Sequence, residues 1–550
     1  MTLSELIARA EGGDALWVPD LRTCFSEMSD AVPIVLRLHC LDGHFEDRSL
    51  SLPHWTCESE KHFTAEFLWA EVYNLLSVYS GRELRIFFPT GDEQIRQLTD
   101  ALPGVFQLHA SVRHGYGKVI NIADRLCRAQ GLPPFSFCTS STDRYLPLPD
   151  AHALPVSQSS LPEQLRAKIP AAEHLTLCGI DIGGTDIKLA LSVNGTLICT
   201  GEYDWNPALS PTAEEILNPI QTQLESVRMR AASLLGLSAP PLLDGIGISF
   251  PDIVIGDRIL GGETPKTAGL RANKKTDYET EFSKLGRLKE LLVPQCRPGA
   301  TVRIVNDGNM AAFTAAMEIA AETALDPASL SGGLLAHTLG TDLGTGWLLP
   351  DGSVPQIPLE LYYLIIDLGN DPAAAFPPQD LRSTRNENSA LPGARRYLGQ
   401  AAAFRLANEL EPTLLDGFTV RNNDRIELCT EPEDLRKPCL EHLMRQADCG
   451  SSAAQEVFRR IGLHLGVISR EAQFLMHPQS DQRFLYGRFV KSAVCFSLMQ
   501  EGCASYAPEL RFIAADDSLA NTPLMRQLAV RRDVTVAQFG QAVGGLYYAV

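Results

Sequence analysis

Asp307 is the residue whose type and surroundings are best suited to catalysis. It follows the apolar residues Ile304 and Val305 and the polar Asn306, and a helical pattern begins directly after it. A carboxylate projected into a cleft from such a strand end can accept the proton of a substrate hydroxyl during phosphoryl transfer. Asn306 could then orient the substrate. The alternative is that Asn306 and Asp307 only cap a helix, as these residue types often do.

A second candidate site lies in the segment around Asp181, where two apolar stretches are joined by Gly183, Gly184 and Thr185. Glycines turn tightly and leave room for backbone N–H groups to contact phosphate oxygens. We therefore predict phosphate binding by these three residues and by Lys188. Asp181 could hold Mg²⁺, directly or through water, because this cation prefers oxygen ligands. A glycine-rich hairpin with a solvated aspartate is the alternative.

A third segment of small residues, 339–347, ends in an apolar strand pattern. Its glycines and hydroxyls are again suited to close contact with phosphate, here from the opposite side of a cleft. Gly340, Thr341 and Gly344 are the predicted contacts. A plain hairpin with glycines is the alternative for this segment.

The elements that position these segments follow a regular order along the chain. Residues 176–204 predict three strands, with a hairpin turn at Asn194-Gly195 that is suited to positive φ. A helix is predicted next, since Thr212 and Glu215 have capping-box spacing before an apolar helical repeat. Another apolar strand follows at 244–250.

Taken together, the three segments resemble the ROK family of sugar kinases and repressors, and more widely the hexokinase group. The D-x-G-G-T motif is matched at 181–185, N-D-x-N-A at 306–311 and G-T-G-x-G-G-G at 340–346, where Asp342 replaces the central glycine. The segments 461–479 and 537–550 resemble the family's long late helix and its closing helix, the second with the glycine pair 544–545 for helix packing. The resemblance covers roughly residues 176–550. It implies a two-lobed α/β fold of the actin-like, ribonuclease H-like ATPase type, with Asp307 as base, ATP as phosphoryl donor and Mg²⁺ as cofactor.

The departures from the family fall on substrate recognition. Only Glu360 remains of the G-E-x-G-H motif, and the family's cysteine cluster is missing, so we expect no zinc. Thr264 and Lys266 lie in the 261–267 loop, where hexokinase-like proteins place residues that contact the sugar. Lys266 resembles the Thr-Lys pair of hexokinases and would also favour an acidic substrate, whereas the alternative is a solvated loop lysine. Gly487 alone remains of the adenosine-side glycines.

The length of 550 residues requires more than one hydrophobic core. We expect an additional N-terminal α/β domain of unknown role at 1–146 and a linker at 147–175, rich in Pro, Ala and Ser. Kinase lobe I is then predicted at 176–310 and lobe II at 311–550, with the C-terminal helix returning to lobe I.

Composition restricts the partners of the protein. The net charge of −18 opposes nucleic-acid binding, and neither a signal peptide nor a membrane-spanning segment is recognisable. The thirteen scattered cysteines are typical of free thiols in a reducing cytoplasm. We expect a small-molecule sugar or sugar derivative as partner, no nucleic acid and no membrane, and the chain could form a homodimer.

The sequence thus predicts ATP-dependent phosphorylation of a hydroxyl on a sugar or sugar-like molecule. A sugar-sensing or regulatory protein of the same fold with weakened catalysis is the main alternative. Asp342 and the reduced adenosine motif favour that alternative, whereas the retained Asp181 and Asp307 oppose it. A DNA-binding repressor is a third hypothesis, opposed by the acidic N-terminal region and the absence of a recognisable helix-turn-helix.

Overall fold

Three α/β units follow one another along the chain in the computed structural model. It describes residues 1–148, 160–262, 264–322, 330–369, 375–386, 389–480, 482–514 and 519–550. Each unit is built around one sheet of four or five strands. None of the described helices is both long and apolar enough to span a bilayer.

The N-terminal unit has a four-stranded sheet of order β2-β1-β3-β4, antiparallel except for the β3–β4 pair. Alternate residues of β1 are buried because side chains of a strand point to opposite faces. The elements are α1 (Leu3–Glu11), α2 (Val18–Ser26), β1 (Ala31–His39), β2 (Phe45–Pro53), α3 (Glu58–Tyr79), β3 (Glu83–Phe88), α4 (Glu93–Val105), α5 (Lys118–Ala129) and β4 (Ser136–Ser141).

Lobe I has a five-stranded sheet of order β11-β8-β5-β6-β7. Its first three strands in the chain form an antiparallel meander, and β8 and β11 join β5 in parallel. The elements, with the helix that precedes them, are α6 (Leu161–Ala172), β5 (Thr176–Ile182), β6 (Asp186–Val193), β7 (Thr196–Asp204), α7 (Ala213–Leu235), β8 (Leu243–Phe250), β9 (Val254–Ile255), β10 (Arg258–Ile259), α8 (Ala268–Ala272), α9 (Tyr278–Ser283), α10 (Leu288–Leu292) and β11 (Cys296–Asn306).

Lobe II repeats this plan with a shorter sheet of order β13-β12-β16-β17. The hairpin β12–β13 is antiparallel, and β16 and β17 continue the sheet in parallel. The elements are α11 (Asp307–Ala321), β12 (Leu334–Leu339), β13 (Leu343–Leu348), α12 (Gly399–Leu410), β14 (Thr419–Asn422), β15 (Arg425–Leu428), α13 (Arg436–Asp448), α14 (Ser452–Met476), β16 (Gln482–Gly487), α15 (Ala493–Tyr506), β17 (Arg511–Ala514), α16 (Pro523–Ala529) and α17 (Val536–Tyr548).

The strand order of lobe I is that of the ribonuclease H-like fold, with the meander on one side of the first strand and two parallel strands on the other. Lobe II has the same hairpin followed by parallel strands. The predicted fold class, two such lobes with an additional N-terminal α/β unit, is therefore confirmed.

The local signals read from the sequence are confirmed at several positions. Asn194 and Gly195 have φ values of 48° and 72° at the predicted hairpin turn. Thr212 caps α7 by accepting a hydrogen bond from the Glu215 N–H. These features depend on neighbouring residues, so a local pattern was sufficient to find them.

The prediction of a linker over 147–175 is wrong for its second half. Residues 161–172 form helix α6, which begins with a capping box between Ser160 and Glu163. Leu161, Leu165 and Ala172 are buried in the core that α6 shares with α11. The short apolar period was masked by the Pro and Ala content of the segment. Residues 149–159 of the predicted linker lie outside the described residues.

The C-terminal helix α17 packs directly on the lobe I sheet, against β5 and β8. A Cβ on Gly247 would clash with the carbonyl oxygen of Gly545, and one on Gly544 would clash with Thr314. The expected role of the glycine pair 544–545 in helix packing is confirmed. These contacts allow α17 to lie close to the sheet and between lobe I and α11.

We expect Gly247→Ala to destabilise the protein by about 1–3 kcal/mol, because the new methyl group overpacks the contact between β8 and α17. Thermal unfolding followed by fluorescence would measure a lower Tm. Gly340→Ala is the matched control, since nothing lies within 4 Å of the position of its Cβ. Equal Tm values for both variants would contradict this packing.

Candidate functional site

Three aspartates lie at the carboxyl ends of neighbouring parallel strands in lobe I. Asp181 is near the end of β5, Asp252 follows β8 by two residues and Asp307 follows β11 directly. Since β5, β8 and β11 are parallel, these ends meet at one edge of the sheet. Asp181 pairs with Ser249 in the register, and Asn306 pairs with Phe250. The edge carries a concentration of negative charge.

Asp181 is partly buried, and burial raises the pKa of its carboxyl to about 6. The Ser249 hydroxyl and the Lys188 ammonium act in the opposite direction, and the Asp307 carboxylate raises the pKa further. Asp181 and Asp307 are therefore close enough to repel one another. A divalent cation would relieve this repulsion, so the pair of carboxylates fits Mg²⁺ with phosphate oxygens as further ligands.

Asn306 and Asp307 form the start of helix α11. Asn306 caps the helix by accepting a hydrogen bond from the Gly308 N–H at 2.9 Å, and its amide donates to the Asp252 carbonyl oxygen at 3.0 Å. The alternative interpretation of a helix cap is therefore correct for Asn306. The Asp307 carboxylate also accepts from the Gly308 N–H, at 2.9 Å, and remains partly exposed. Capping leaves this carboxylate accessible.

The glycine turn between β5 and β6 is fixed by main-chain contacts. The Gly183 N–H donates to the Asp186 carbonyl oxygen at 2.8 Å, and the Trp205 indole N–H donates to the Gly183 carbonyl oxygen at 3.1 Å. Thr185 is exposed. A Cβ on Gly184 would lie 3.4 Å from Cε of Lys266. The lysine of the 261–267 loop therefore lies beside the turn that is predicted to bind phosphate.

Lys188 has a different environment from the one expected of a phosphate ligand. Its side chain is 13% exposed and forms ion pairs with Asp186 and, at 3.5 Å, with Glu202. A phosphate at the turn would have to compete with both carboxylates for the ammonium group. The sequence pattern did not reveal this, because Glu202 is on the next strand of the meander.

The hairpin β12–β13 lies against the start of α11 in a glycine-to-backbone contact. A Cβ on Gly346 would clash with the Gly308 carbonyl oxygen, and a Cβ on Gly308 would clash with the Thr345 carbonyl oxygen. The Asn309 side chain accepts a hydrogen bond from the Trp347 N–H at 2.9 Å. These contacts bring the third segment of small residues to Asp307.

The three glycines predicted to bind phosphate in lobe II differ in their surroundings. A Cβ on Gly344 would clash with the Thr338 hydroxyl, and one on Gly487, which has φ of 104°, would clash with the Leu339 carbonyl oxygen. Packing alone therefore favours glycine at positions 344 and 487, because a larger side chain would clash with protein atoms there. Only at Gly340 is the space beyond the backbone open, so this glycine is the one that a ligand could approach.

Asp342 replaces a family glycine, and the structure provides a partner for it. The guanidinium of Arg395 forms an ion pair with its carboxylate at 2.9 Å, and Arg395 is 14% exposed. The Gly340 carbonyl oxygen accepts a hydrogen bond from the Gln400 N–H at the start of α12. Thr341 is exposed between them. The aspartate is thus neutralised by a cation that the sequence motif did not predict.

A cavity of about 720 Å³ opens beside these turns, between α11, the end of β16 and α17. Ser249, the register partner of Asp181, donates its hydroxyl hydrogen to the Gln541 side chain on the cavity wall at 3.1 Å. This hydrogen bond links the cavity wall to the carboxyl end of β8. Its lining includes Ala311, Thr338, Gly487, Lys491, Met525 and Gln541.

Glu360 lies in the segment after β13, close enough to Asp307 for the two carboxyl groups to interact. Burial raises the pKa of its carboxyl to about 8, and the Asp252 and Asp307 carboxylates act in the same direction. Tyr362 and the Lys266 ammonium oppose this shift. The structure thus brings together three residues predicted for substrate and catalysis, Asp307, Glu360 and Lys266, and Glu360 is protonated at neutral pH.

Asp252 was missed in the sequence. Its carboxylate accepts hydrogen bonds from the Gly262 N–H, at 3.0 and 3.1 Å to its two oxygens, and from the Ile253 N–H at 2.7 Å. Burial raises its pKa to about 6, against the effect of these bonds. Thr264 acts within the same loop, since its hydroxyl accepts from the Lys266 N–H at 3.0 Å. The position of Asp252 after a predicted strand was the available signal.

In the part of the chain that the structure describes, no group of three or more His, Cys, Asp or Glu side chains is arranged to hold a metal ion. The absence of zinc therefore remains a prediction. The Mg²⁺ considered above would have two carboxylates and otherwise phosphate or water oxygens as ligands.

Comparison with known proteins gives structural similarity only. No protein-family model and no curated protein matches the chain. The chain is similar to a ROK family glucokinase from Streptomyces griseus, solved with glucose and AMPPNP, at 18% identity over 68% of this chain and 98% of that one, with a TM-score of 0.41.

The chain is also similar to a ROK hexokinase from Thermus thermophilus, at 14% identity over 67% of this chain and 97% of that one, with a TM-score of 0.40. A glucokinase from Balamuthia mandrillaris, solved with glucose, is similar at 16% identity over 68% of this chain and 99% of that one, with a TM-score of 0.40. The fold assignment rests on the strand order of the two lobes.

We expect the stability of the protein to report the ionisation of Glu360. Its carboxyl has a pKa of 4.5 in the unfolded chain and about 8 in the folded one, so the folded state binds the proton more tightly. The stabilisation is complete below pH 4.5 and is lost as the pH rises to about 8. The Tm of the wild type should fall by about 1–3 °C relative to Glu360→Gln between pH 6.5 and 8.

Calorimetry of both proteins from pH 6.5 to 10 would measure the difference, which should become constant only above about pH 9, where Glu360 is ionised in both the folded and the unfolded chain. Asp181 and Asp252 titrate lower and are common to both proteins. A constant difference from pH 6.5 to 9 would mean that Glu360 is ionised throughout.

Proposed function

We propose that the protein transfers the terminal phosphoryl group of ATP to a hydroxyl of a sugar or a similar small molecule. The observation that carries this proposal is the meeting of Asp307 and Asp181 at one edge of the lobe I sheet, beside a 720 Å³ cavity. A base, a site for a cation and a space for a nucleotide are the parts that such a transfer needs.

The nucleotide would occupy the cavity, with its phosphates directed towards Gly340 and the turn at Gly183 and Gly184. The open space at Gly340 and the nearness of Lys266 to the turn support this orientation. Mg²⁺ bound by Asp181 would neutralise charge on the phosphates. Thr185, Lys188 and Thr341 remain proposed phosphate contacts on the basis of their positions.

Asp307 would accept the proton of the substrate hydroxyl while the hydroxyl oxygen bonds to the terminal phosphorus and ADP leaves. Its partial exposure next to the crowded carboxylates suits a group that must reach the substrate. Asn306 and Thr264 would orient the acceptor. The protonated Glu360 would donate a hydrogen bond to a sugar oxygen, a role that its pKa of about 8 supports at neutral pH.

The charge around the acceptor favours a neutral sugar over a sugar acid. Asp252 and Glu360 lie close enough to Lys266 for its ammonium to lower the pKa of each, and the Asp252 and Asp307 carboxylates raise the pKa of Glu360. A substrate carboxylate would meet these groups as well as the lysine. We therefore do not assign Lys266 to an acidic substrate, and propose that it contacts the transferring phosphoryl group from the side of Gly184.

Asp342 is less of an objection to catalysis than the sequence suggested, because Arg395 offsets its charge. The thirteen free cysteines fit the proposed cytoplasmic location.

The proposed phosphoryl transfer is tested by measuring ADP release from Mg²⁺-ATP with glucose, mannose, N-acetylglucosamine, glucosamine and gluconate. Stimulation by at least one neutral sugar is expected, and no stimulation by any of them would contradict the proposal.

We expect Asp307→Asn to lower kcat by about 10²–10⁴-fold, since the amide cannot accept the hydroxyl proton. The variant should fold normally because asparagine keeps a polar group at the helix start. Asp92→Asn, at the N-cap of α4 in the N-terminal unit, is the matched control and should retain full activity. A turnover of Asp307→Asn within threefold of the wild type would rule out Asp307 as the base.

We expect Gly340→Ala to raise the KM for ATP by about tenfold or more while the Tm stays unchanged. The added methyl group would enter the open space that the phosphates are proposed to use, without touching protein atoms. Steady-state kinetics with the best sugar of the panel would measure it. An unchanged KM would mean that the nucleotide does not approach this turn.

A further inference from the structure

The N-terminal unit is joined firmly to lobe II. The Val18 N–H donates to the Ile366 carbonyl oxygen at 3.0 Å, and the Leu368 N–H donates to the Leu16 carbonyl oxygen at 2.9 Å. Both sides contribute to one continuous hydrophobic core. An interface with main-chain hydrogen bonds and a shared core resembles the interior of a domain, so the two parts are expected to move together.

The same interface holds the segment that carries Glu360. The Leu359 and Glu360 N–H groups donate to the carbonyl oxygens of Val78 and Ser77 at the end of α3, at 2.9 and 3.1 Å. Leu359 has φ of 57°, a strained value for a non-glycine residue. The end of α3 therefore fixes the main chain on one wall of the proposed acceptor site.

The opposite edge of the N-terminal unit reaches lobe I through Arg125 on α5. Its guanidinium forms a two-point ion pair with Glu279 on α9, at 3.0 and 2.7 Å, and donates to the carbonyl oxygen of Gly261. Arg125 is only 8% exposed. A buried, planar guanidinium with two-point contacts is a geometrically specific anchor.

Gly261 begins the loop that carries Lys266. The next residue, Gly262, donates its N–H to the Asp252 carboxylate and accepts hydrogen bonds from the side chains of Thr267 and Arg271, at 3.1 and 2.8 Å. The loop is therefore bound both by side chains of lobe I, through Gly262, and by Arg125 of the N-terminal unit, through Gly261.

From these contacts we propose that Arg125 is a positioning residue for the acceptor site, and that the N-terminal unit completes this site by holding its two walls at a fixed separation. One wall is the Glu360 segment, held by α3, and the other is the 261–267 loop, held by Arg125. The functional part of this inference rests on the proposed function, whereas the positioning of the loop does not.

The first test measures the loop without any substrate. In amide hydrogen exchange of the full chain, Arg125→Gln should accelerate exchange in residues 261–267 by about tenfold or more, with no change at the 183–185 turn. Glu279→Gln removes the same ion pair from the exposed side of lobe I and should act in the same direction. Unchanged exchange in the loop for both variants would overturn the proposal.

Arg128→Gln is the matched control. Arg128 is on the same helix and contacts the same Glu279 at 3.3 Å, but it is 65% exposed. Its replacement should leave exchange in the loop unchanged, because an exposed and flexible ion pair contributes little. An effect of Arg128→Gln as large as that of Arg125→Gln would show that charge alone matters, and would overturn the anchoring role.

The second test separates positioning from general instability. With the sugar of the panel that gives the most ADP release, Arg125→Gln should raise the KM for the sugar about tenfold and leave the KM for ATP within twofold. Arg125→Lys keeps the charge but not the two-point geometry, so it should lie between wild type and Arg125→Gln. Equal increases in both KM values would overturn the assignment.

The outcomes distinguish the two proposals. If no sugar stimulates ADP release, the proposed function fails, while the exchange experiment still decides whether Arg125 positions the loop. If a sugar is phosphorylated but exchange in the loop is independent of Arg125, the proposed function stands and the positioning role fails.

Discussion

The contact between the start of α11 and the hairpin β12–β13 is the constraint on which the site depends. Gly308 and Gly346 meet backbone to backbone, with no room for a side chain on either. This contact brings a turn of lobe II to the helix that begins at Asp307, and the packing of α17 on Gly247 holds the same helix layer against the lobe I sheet. The cavity is the space left beside these two contacts. Small residues in the motifs therefore do two things: most of them let backbones approach each other, and Gly340 leaves space for a ligand.

The second feature that organises the site is the crowding of carboxylates. Burial of charge is unfavourable unless it is paired or neutralised by protonation, and both solutions are present. Lys188 and Lys266 face Asp181 and Glu360, and Arg395 pairs with Asp342. The raised pKa values of Asp181, Asp252 and Glu360 show that burial outweighs this compensation. An arrangement of this kind costs stability and is typical of sites that bind a metal ion or transfer a proton.

Much of the architecture could be predicted from the sequence, because its signals are local. The meander of lobe I and the turn at Asn194-Gly195 follow from residue periodicity and turn chemistry, whereas the late helices were predicted from the resemblance to a known family. The partners of Asp342 and of the 261–267 loop could not be predicted, since Arg395 and Arg125 are distant in sequence and only the fold brings them close; Arg125 and Glu279 are 154 residues apart. Helix α6 was missed because its prolines resemble a linker. The packing contacts of Gly344 and Gly487 could not be predicted either, because a motif does not distinguish a glycine that packs from one that binds.

The central claim is that a nucleotide phosphate and the Asp307 carboxylate meet at one short path between the lobes. A crystal structure with Mg²⁺, AMPPNP and the preferred sugar would test it most directly. We expect the nucleotide to lie in the cavity between α11 and α17, with its terminal phosphate between Gly184 and Gly340. A sugar hydroxyl should lie within about 2.6–3.2 Å of the Asp307 carboxylate. A nucleotide bound elsewhere, or a sugar whose hydroxyls all lie beyond hydrogen-bonding distance of Asp307, would contradict it.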